Sequence, residues 1–368
     1  MDKLLEGLQN FTWQQGVMII VGLVLIYLAI KKEYEPMLLL PIGFGAILTN
    51  IPLSSAVGEN GFLTILYNAG IRTELFPILI FIAVGAMIDF SPLLKQPVML
   101  FFGAAAQLGI FMAMLLAAST GVFSLKEAAS IGIIGAADGP TSIYVANLFA
   151  PDLLGPISVA AYSYMALVPI IQPPVIRALT TKKERMIRMD ADYDAKVSKK
   201  VLILFPIVVT VVAGIIAPIS VGLVGALMFG NLIRESGVMD RLSKSAQNEL
   251  ANLTTLLLGI TIGSTMVAEK FLAPTTLLIL GIGLLAFVFD TAGGVLFAKL
   301  INLFLKKKIN PMIGAAGISA FPMSARVVQK LALEEDPSNF ILMQAIGANV
   351  AGQIGSIIAG GILLALVG

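Results

Sequence analysis

IGIIGAADGPTSIYVANLFA (131–150) is apolar at both ends, yet an aspartate, a glycine and a proline stand together in its middle. Asp138 at the centre of a bilayer costs about 2.5–3.5 kcal/mol on insertion scales. Gly139-Pro140 stops a regular helix, frees backbone carbonyls and starts a new helix aimed at the break. Such a break is tolerated at membrane depth only where it is buried in protein or lines a wet cavity. Asp138, Thr141, Ser142 and nearby carbonyls together offer an oxygen cage for a dehydrated cation. The plainer alternative is an aspartate that caps the helix opened by Pro140.

The rest of the chain is equally apolar. Of 368 residues, 58% are hydrophobic and 12% charged, against about 25% charged in a soluble domain. Runs such as VMIIVGLVLIYLAI (17–30) and VLILFPIVVTVVAGIIAP (201–218) approach or reach spanning length. The expected class is an all-α polytopic membrane protein seated in a lipid bilayer. The opening MDKLLEGLQNFTWQQ lacks a basic leader and a small-residue cleavage site, so no cleavable signal is expected. Cysteine and histidine are both absent. Disulfides, thiolate metal sites and cysteine nucleophiles are therefore excluded, and proton chemistry falls to Asp, Glu, Tyr, Lys or water. Any metal site must be built of oxygens, which suits hard cations. A net charge of +2 gives no footprint for nucleic acid, and none is expected as a partner.

Apolar runs at 15–30, 37–51, 75–89, 97–119, 129–150 and 155–178 precede a polar linker, TTKKERMIRMDADYDAKVSKK (180–200). Runs at 201–217, 219–234, 250–267, 273–304, 311–330 and 340–367 follow it. The two sets read as copies. Pro41 and Pro218, Asn50 and Asn231, Glu74 and Glu249, Gly85 and Gly263, Gly135 and Gly314, and Gln172 and Gln353 all repeat at an offset of roughly 180. If the fifth element of each half is a broken or re-entrant helical hairpin, each half crosses about five times and the odd number inverts the second half. With the linker in the cytoplasm, every Lys and Arg except Lys3, Arg72, Lys126 and Lys270 then lies inside, as the positive-inside bias requires. The expected organisation is a first membrane repeat (1–179), a cytoplasmic linker (180–200) and a second, inverted repeat (201–368). This is the pattern of secondary transport, with the site where the two breaks meet near mid-membrane.

The second break, INPMIGAAGISAFPMSAR (309–326), has no acid. It offers Asn310, Ser319 and Ser324, with Gly314 and Gly317 as flexible or packing positions. One acid with neutral oxygens suits a monovalent cation better than a divalent one. Packing of small residues is the alternative for the serines. Arg326 follows the break and either binds an anionic group or anchors at the interface. GANVAGQIGS (347–356) carries Asn349, Gln353 and Ser356; Asn349 is placed to reach a neighbouring break, or the segment simply packs. Tyr164 in AYSYMALVPIIQPP (161–174) either moves a proton and orders a substrate or belongs to an aromatic belt. Asp89 and Glu269 fall at helix ends and read as solvated. Asp290, in AFVFDTAGG, is deeper and stands as a second candidate acid. LEEDPSN (333–339) reads as a solvated turn.

IGIIGAADGPTSIYVAN resembles the signature of the beta subunits of sodium-pumping, biotin-dependent decarboxylases. GNLIRESGV (230–238), NPMIGAAGISAFPMSARV (310–327) and GANVAGQIGS (347–356) resemble family segments in the same order. The one departure is Ala136-Ala137, where the family segment is richer in glycine. The resemblance implies that a carboxyltransferase alpha subunit loads biotin on a carrier subunit. The membrane subunit then decarboxylates carboxybiotin, consumes a proton and exports sodium, beside a small gamma or delta membrane subunit. By the same resemblance the essential membrane aspartate falls on Asp138 and the functional tyrosine on Tyr164. The asparagine, glycine, serine and arginine of the second region fall on Asn310, Gly314, Ser319 and Arg326, and the late asparagine on Asn349. The implied roles are catalysis by Asp138, Tyr164 and Arg326, with the last two holding carboxybiotin. Sodium is implied at Asp138, Asn310, Ser319 and Asn349, with Thr141 beside them, and Gly139, Pro140 and Gly314 serve as hinge or packing positions. Compact loops lean toward an acyl-CoA such as methylmalonyl-CoA or glutaconyl-CoA as the upstream substrate, and a closed homo-oligomer is expected. The rival reading is a stand-alone sodium/proton antiporter or sodium-coupled carboxylate carrier, which needs no biotinylated partner.

Overall fold

The computed structural model describes residues 6–7, 9–189 and 196–368, which are all-helical with irregular connections. Lys3 and the linker stretch 190–195, both used in the topology argument, lie outside the described residues. α1 (Trp13–Lys32) starts in a capping box between Thr12 and Gln15 and ends on Lys31 and Lys32, which suit the negative end of its dipole. α2 (Pro36–Thr49) opens on a proline whose missing N–H would have had no helical partner. Phe62–Ile71, ending in a π-turn, meets α3 (Leu75–Met87) at 62°.

Three of the expected runs are broken helices. The 97–119 run is α4 (Met99–Ala105) and α5 (Leu108–Ser119), with Gln107 Nε2 donating back to Gly103 O at the join (2.8 Å). The 129–150 run is α6 (Leu125–Gly132), a tight turn at Ile133–Ala136 and α7 (Gly139–Phe149). α6 begins ahead of the apolar stretch because Ser124 and Glu127 form a capping box. The 155–178 run is α8 (Leu154–Ala166) and α9 (Val168–Leu179), bent by 67°. Pro169 lacks an N–H there and crowds the carbonyl of Met165.

The second half comprises α10 (Lys199–Ile216), α11 (Val221–Ser236), a π-turn at Ala246–Leu250, α12 (Ala251–Ser264) and α13 (Pro274–Phe304). A single helical turn at Met312–Ala315 and an irregular stretch lead into α14 (Met323–Glu335), and α15 (Leu342–Val367) closes the chain. Among the described residues, five stretches are long and apolar enough to cross a bilayer, or up to seven if each bent pair is one span. α2, α11 and α12, at 14, 16 and 14 residues, are shorter than the roughly 20 residues a lone span needs. They are packed against other helices: α2 runs along α12, and α3 along α11. Asn50 at the end of α2 donates to Met266 O (2.8 Å) just past α12. Asn231 in α11 donates to Ile88 O (2.9 Å) just past α3. α15 is the most enclosed span, with 67% of its apolar window buried, whereas α10 has 11% and turns Leu204, Val208, Val211 and Ile215 outward.

Both broken segments are hairpins that return to the end where they began. Lys126 at the start of α6 lies 5.4 Å from the centre of the Phe149 ring at the end of α7, and Asp152 just beyond pairs with Lys270 at 2.6 Å. At the second hairpin, Asn310 and Asn339 bracket the segment, and both donate to the carbonyls of Arg185 and Ile187. The 31-residue α13 separates these two ends, a length of about 45 Å at 1.5 Å per residue. The hairpins therefore enter from opposite ends of the molecule.

Candidate functional site

The two hairpin tips touch: Ser319 N donates to Ala136 O at 3.0 Å. Asp138 stands at this junction, 5% exposed. Its backbone is extended because it is the N-cap of α7, with Pro140 in the first turn. The capping reading is thus correct as local structure, with Oδ1 accepting from Thr141 N at 3.4 Å. Capping does not exhaust the carboxylate. Oδ2 also faces two hydroxyls, Thr141 Oγ1 at 2.7 Å and Ser356 Oγ at 3.0 Å. The Ser356 hydroxyl has one proton and two acceptors in reach, since Gln353 O lies at 3.1 Å. Ser142 Oγ donates to the Asp138 carbonyl (2.8 Å) and ties the tip together.

This carboxylate opens onto a cavity of about 330 Å³. Its polar lining is Asp138, Tyr162, Thr255, Ser319 and Gln353, and its wall includes Gly139, Pro140, Phe321 and Pro322. Gly139 is glycine because the Tyr162 ring lies against its α-carbon, where a side chain would stand. The second tip brings no charge, and its backbone is held by amides and hydroxyls from neighbouring helices. Gln353 donates to Ser319 O, Asn349 to Ile318 O and Gln172 to Ala315 O, and the Ser319 hydroxyl donates to Gly352 O. Asn349 Oδ1 is buried without a partner. Gly314 packs carbonyl-to-α-carbon against Gly294 of α13, and neither position has room for a methyl group.

The structure brings Asp138, Thr141, Ser319 and Asn349 to the hairpin tips and leaves three expected residues elsewhere. Tyr164 turns away from the cavity and donates its hydroxyl to Leu280 O on α13. Asn310 is fully buried at the mouth of the second hairpin, where it holds the linker carbonyls and its Oδ1 accepts from Met312 N (3.1 Å). Arg326 is exposed on α14 in a separate surface pocket of about 420 Å³ with Gln329, Lys330 and Glu334. Asp290 is fully buried on α13, and neither of its carboxylate oxygens makes a hydrogen bond within normal geometry. Its carboxylate packs against Gly109, at the start of α5, and against Gly135.

Two features were not read from the sequence. Tyr162 faces the cavity where Tyr164 does not. Residues two apart on a helix point about 200° away from each other, so YSY places one phenol in the cavity and the other on α13, and the spacing alone does not say which. The 333–339 stretch is no free turn: Glu334 pairs with Arg177 at the end of α9, and Glu335 and Asp336 pair with Arg185 and Arg188 of the linker, each at 2.7 Å. The signal was the complementary charge of the two loops. Arg188 holds the Asp336 carboxyl below its ordinary range, and Lys270 does the same to Asp152 at the other end. No cluster of three or more acidic ligands exists among the described residues.

Residues 14–367 match the family described as the Na+-transporting oxaloacetate decarboxylase beta subunit. The chain is 52% identical over 363 residues to the glutaconyl-CoA decarboxylase subunit beta of Acidaminococcus fermentans, covering 99% of this chain and 96% of that one. It is 50% identical over 376 residues to the methylmalonyl-CoA decarboxylase subunit beta of Propionigenium modestum, with 96% and 94% covered. It is 46% identical over 422 residues to a probable oxaloacetate decarboxylase beta chain of Vibrio cholerae, with 98% and 97% covered.

Proposed function

The chain belongs to the beta-subunit family of the sodium-transporting decarboxylases, and from that premise we propose that its two hairpin tips form the site where sodium and a proton compete. The observation that carries this reading is the buried Asp138 carboxylate, faced by two hydroxyls and open to a cavity at the meeting of both breaks. A lone carboxylate in such a place is costly unless a cation or a proton joins it. Sodium entering from the linker side binds Asp138 with oxygens of Thr141, Ser319 and Asn349. A proton then displaces it. That proton serves the decarboxylation of carboxybiotin, in which the N–C bond breaks, carbon dioxide leaves and the biotin nitrogen takes the proton.

Arg326 lies on the linker side in an open pocket, which suits it to meet the carboxylate of carboxybiotin delivered on a carrier subunit. A carboxyltransferase alpha subunit and a small gamma or delta subunit complete the assembly in a prokaryotic inner membrane, with this chain as a homo-oligomer. Greater identity to the two acyl-CoA enzymes than to the oxaloacetate chain supports an acyl-CoA as the upstream substrate. Two inverted repeats, 1–179 and 201–368, about the 180–200 linker are supported by the reciprocal packing of α2 on α12 and α3 on α11. The paired roles of Asn50 and Asn231 and the opposite entry of the hairpins point the same way. One half moving against the other then exposes the site to each side in turn.

The test is carbon dioxide release from carboxybiotin by the purified subunit with its carrier and accessory subunits, titrating sodium against potassium. Saturable stimulation by sodium that disappears in Asp138→Asn is expected. Release without any response to sodium, or an Asp138→Asn protein that responds normally, overturns the assignment.

A further inference from the structure

Tyr162 presents a polar atom that the fold does not use. The residue is 1% exposed, and its hydroxyl has no hydrogen-bond partner. A phenol buried in this way forgoes about 1–3 kcal/mol unless something satisfies it. Buried tyrosines ordinarily bring the ring inside and find a partner for the hydroxyl. Tyr164, by contrast, donates to Leu280 O.

The position of Tyr162 is specified by its neighbours. Its ring lies against Gly139, the residue after Asp138, where any side chain would collide with it. It lines the same cavity of about 330 Å³ as Asp138, Ser319, Thr255 and Gln353. Among the described residues, no lysine or arginine lines this cavity. A neutral oxygen with free lone pairs, beside a carboxylate and away from any fixed cation, is the complement of a small hard cation.

We propose that Tyr162 is a ligand of the transported ion: its phenolic oxygen and the Asp138 carboxylate hold the same sodium in this cavity, and the glycine at 139 exists to let the ring reach that place. The inference rests on the assignment of the ion site to Asp138. It adds a residue that the family resemblance did not carry, on the neighbouring helix α8. It also gives the hairpin tip a rigid wall, since the phenol approaches from a separate helix and its distance from the carboxylate is set by the ring's packing on Gly139.

The experiment uses Tyr162→Phe in the assembled complex. Phenylalanine keeps the ring that packs on Gly139 and removes only the hydroxyl. Two sodium titrations are compared with the unaltered protein: the rate of carbon dioxide release, and the melting temperature in detergent, which rises as an ion binds the native state. Half-saturating sodium should rise about tenfold in both, the size expected for losing one polar contact to a charged group. A rise of at least about fivefold in both readouts supports the ligand role. A smaller change overturns it, as does a fall in maximal rate with the sodium midpoints unmoved, which is the signature of a structural or proton-transfer role. Asp138→Asn separates this from the underlying assignment. If that variant melts with the normal sodium dependence, the ion site itself is misplaced. If it loses that dependence while Tyr162→Phe keeps it, only the role of Tyr162 fails.

Discussion

The two hairpins share the letters GAA at their tips and then diverge. GAADGPTS restarts its helix at once, with Asp138 as the cap and Ala137 as the single left-handed residue between limbs (φ 52°). GAAGISAFPMS stays irregular from Ala316 to Pro322, and α14 begins without a side-chain cap. The first tip therefore satisfies itself and carries a charge. The second exposes its backbone, and Gln172, Asn349 and Gln353 reach in from α9 and α15 to pair it. A membrane interior tolerates a broken helix only when its carbonyls find partners, and the two tips meet that demand by opposite means. One supplies a buried carboxylate, while the other supplies a wall held in place by its neighbours.

The comparison breaks most readily at its charge. Asn caps a helix as well as Asp, so Asp138→Asn should preserve the hairpin while sodium-stimulated release falls by at least about a hundredfold, the scale of losing the one charge in a water-poor site. An unchanged melting temperature with lost turnover would show that the charge, and not the cap, is what the first tip contributes. Gly314→Ala attacks the second tip's packing. The added methyl has no room against the Gly294 carbonyl, and overpacking of this kind costs about 1–3 kcal/mol or more, read as a lower melting temperature and weaker expression. Gln353→Leu should cost less, about 1 kcal/mol, because the Ser319 carbonyl loses the side-chain amide and keeps the Phe321 N–H. The same change should widen the range of sodium midpoints measured across detergents, because the wall is no longer held.

Smaller effects sharpen the picture. Ala137→Gly relieves a left-handed alanine, and about 1 kcal/mol of stabilisation is expected from thermal melts. The linker clasp is sensitive to acid. Arg188 lowers the Asp336 carboxyl in the folded protein, so the pair stabilises the folded form above the ordinary carboxylate range and that contribution fades as pH falls through the lowered value. Limited proteolysis within 180–200 should accordingly speed up below about pH 4 and stay slow at neutral pH, with Asp336→Asn removing the difference.

How far these features were legible differs by residue. Asp138-Gly139-Pro140 was readable because three residue types that a spanning helix avoids stand side by side. Arg326, Asn310 and Tyr164 were readable as polar residues in the right segments, yet each is turned to a surface pocket, a linker carbonyl or α13. A segment's chemistry is local, but the direction of a side chain depends on helix phase and on which neighbour lies opposite. The breaks at Gln107 and Leu167 were missed for a related reason, since mean apolarity is blind both to a side chain that turns back on its own helix and to a proline inside an apolar run. The Glu334–Asp336 clasp was hidden because its partners lie some 150 residues away in sequence.

By itself the sequence determined that this is a helical membrane protein, that any metal site in it must be built of oxygens, and that an aspartate, a glycine and a proline interrupt one of its apolar segments. Composition, proline placement and the absence of cysteine and histidine suffice for that, because they limit what any fold of the chain contains. Only the tertiary structure decided that the two tips touch, that Ser356 from the last helix faces Asp138, and that Tyr162 and not Tyr164 looks into the cavity. Those facts depend on contacts between residues far apart in the chain, and packing resolves them through close approaches such as Tyr162 on Gly139 and Gly314 on Gly294, which no local pattern encodes.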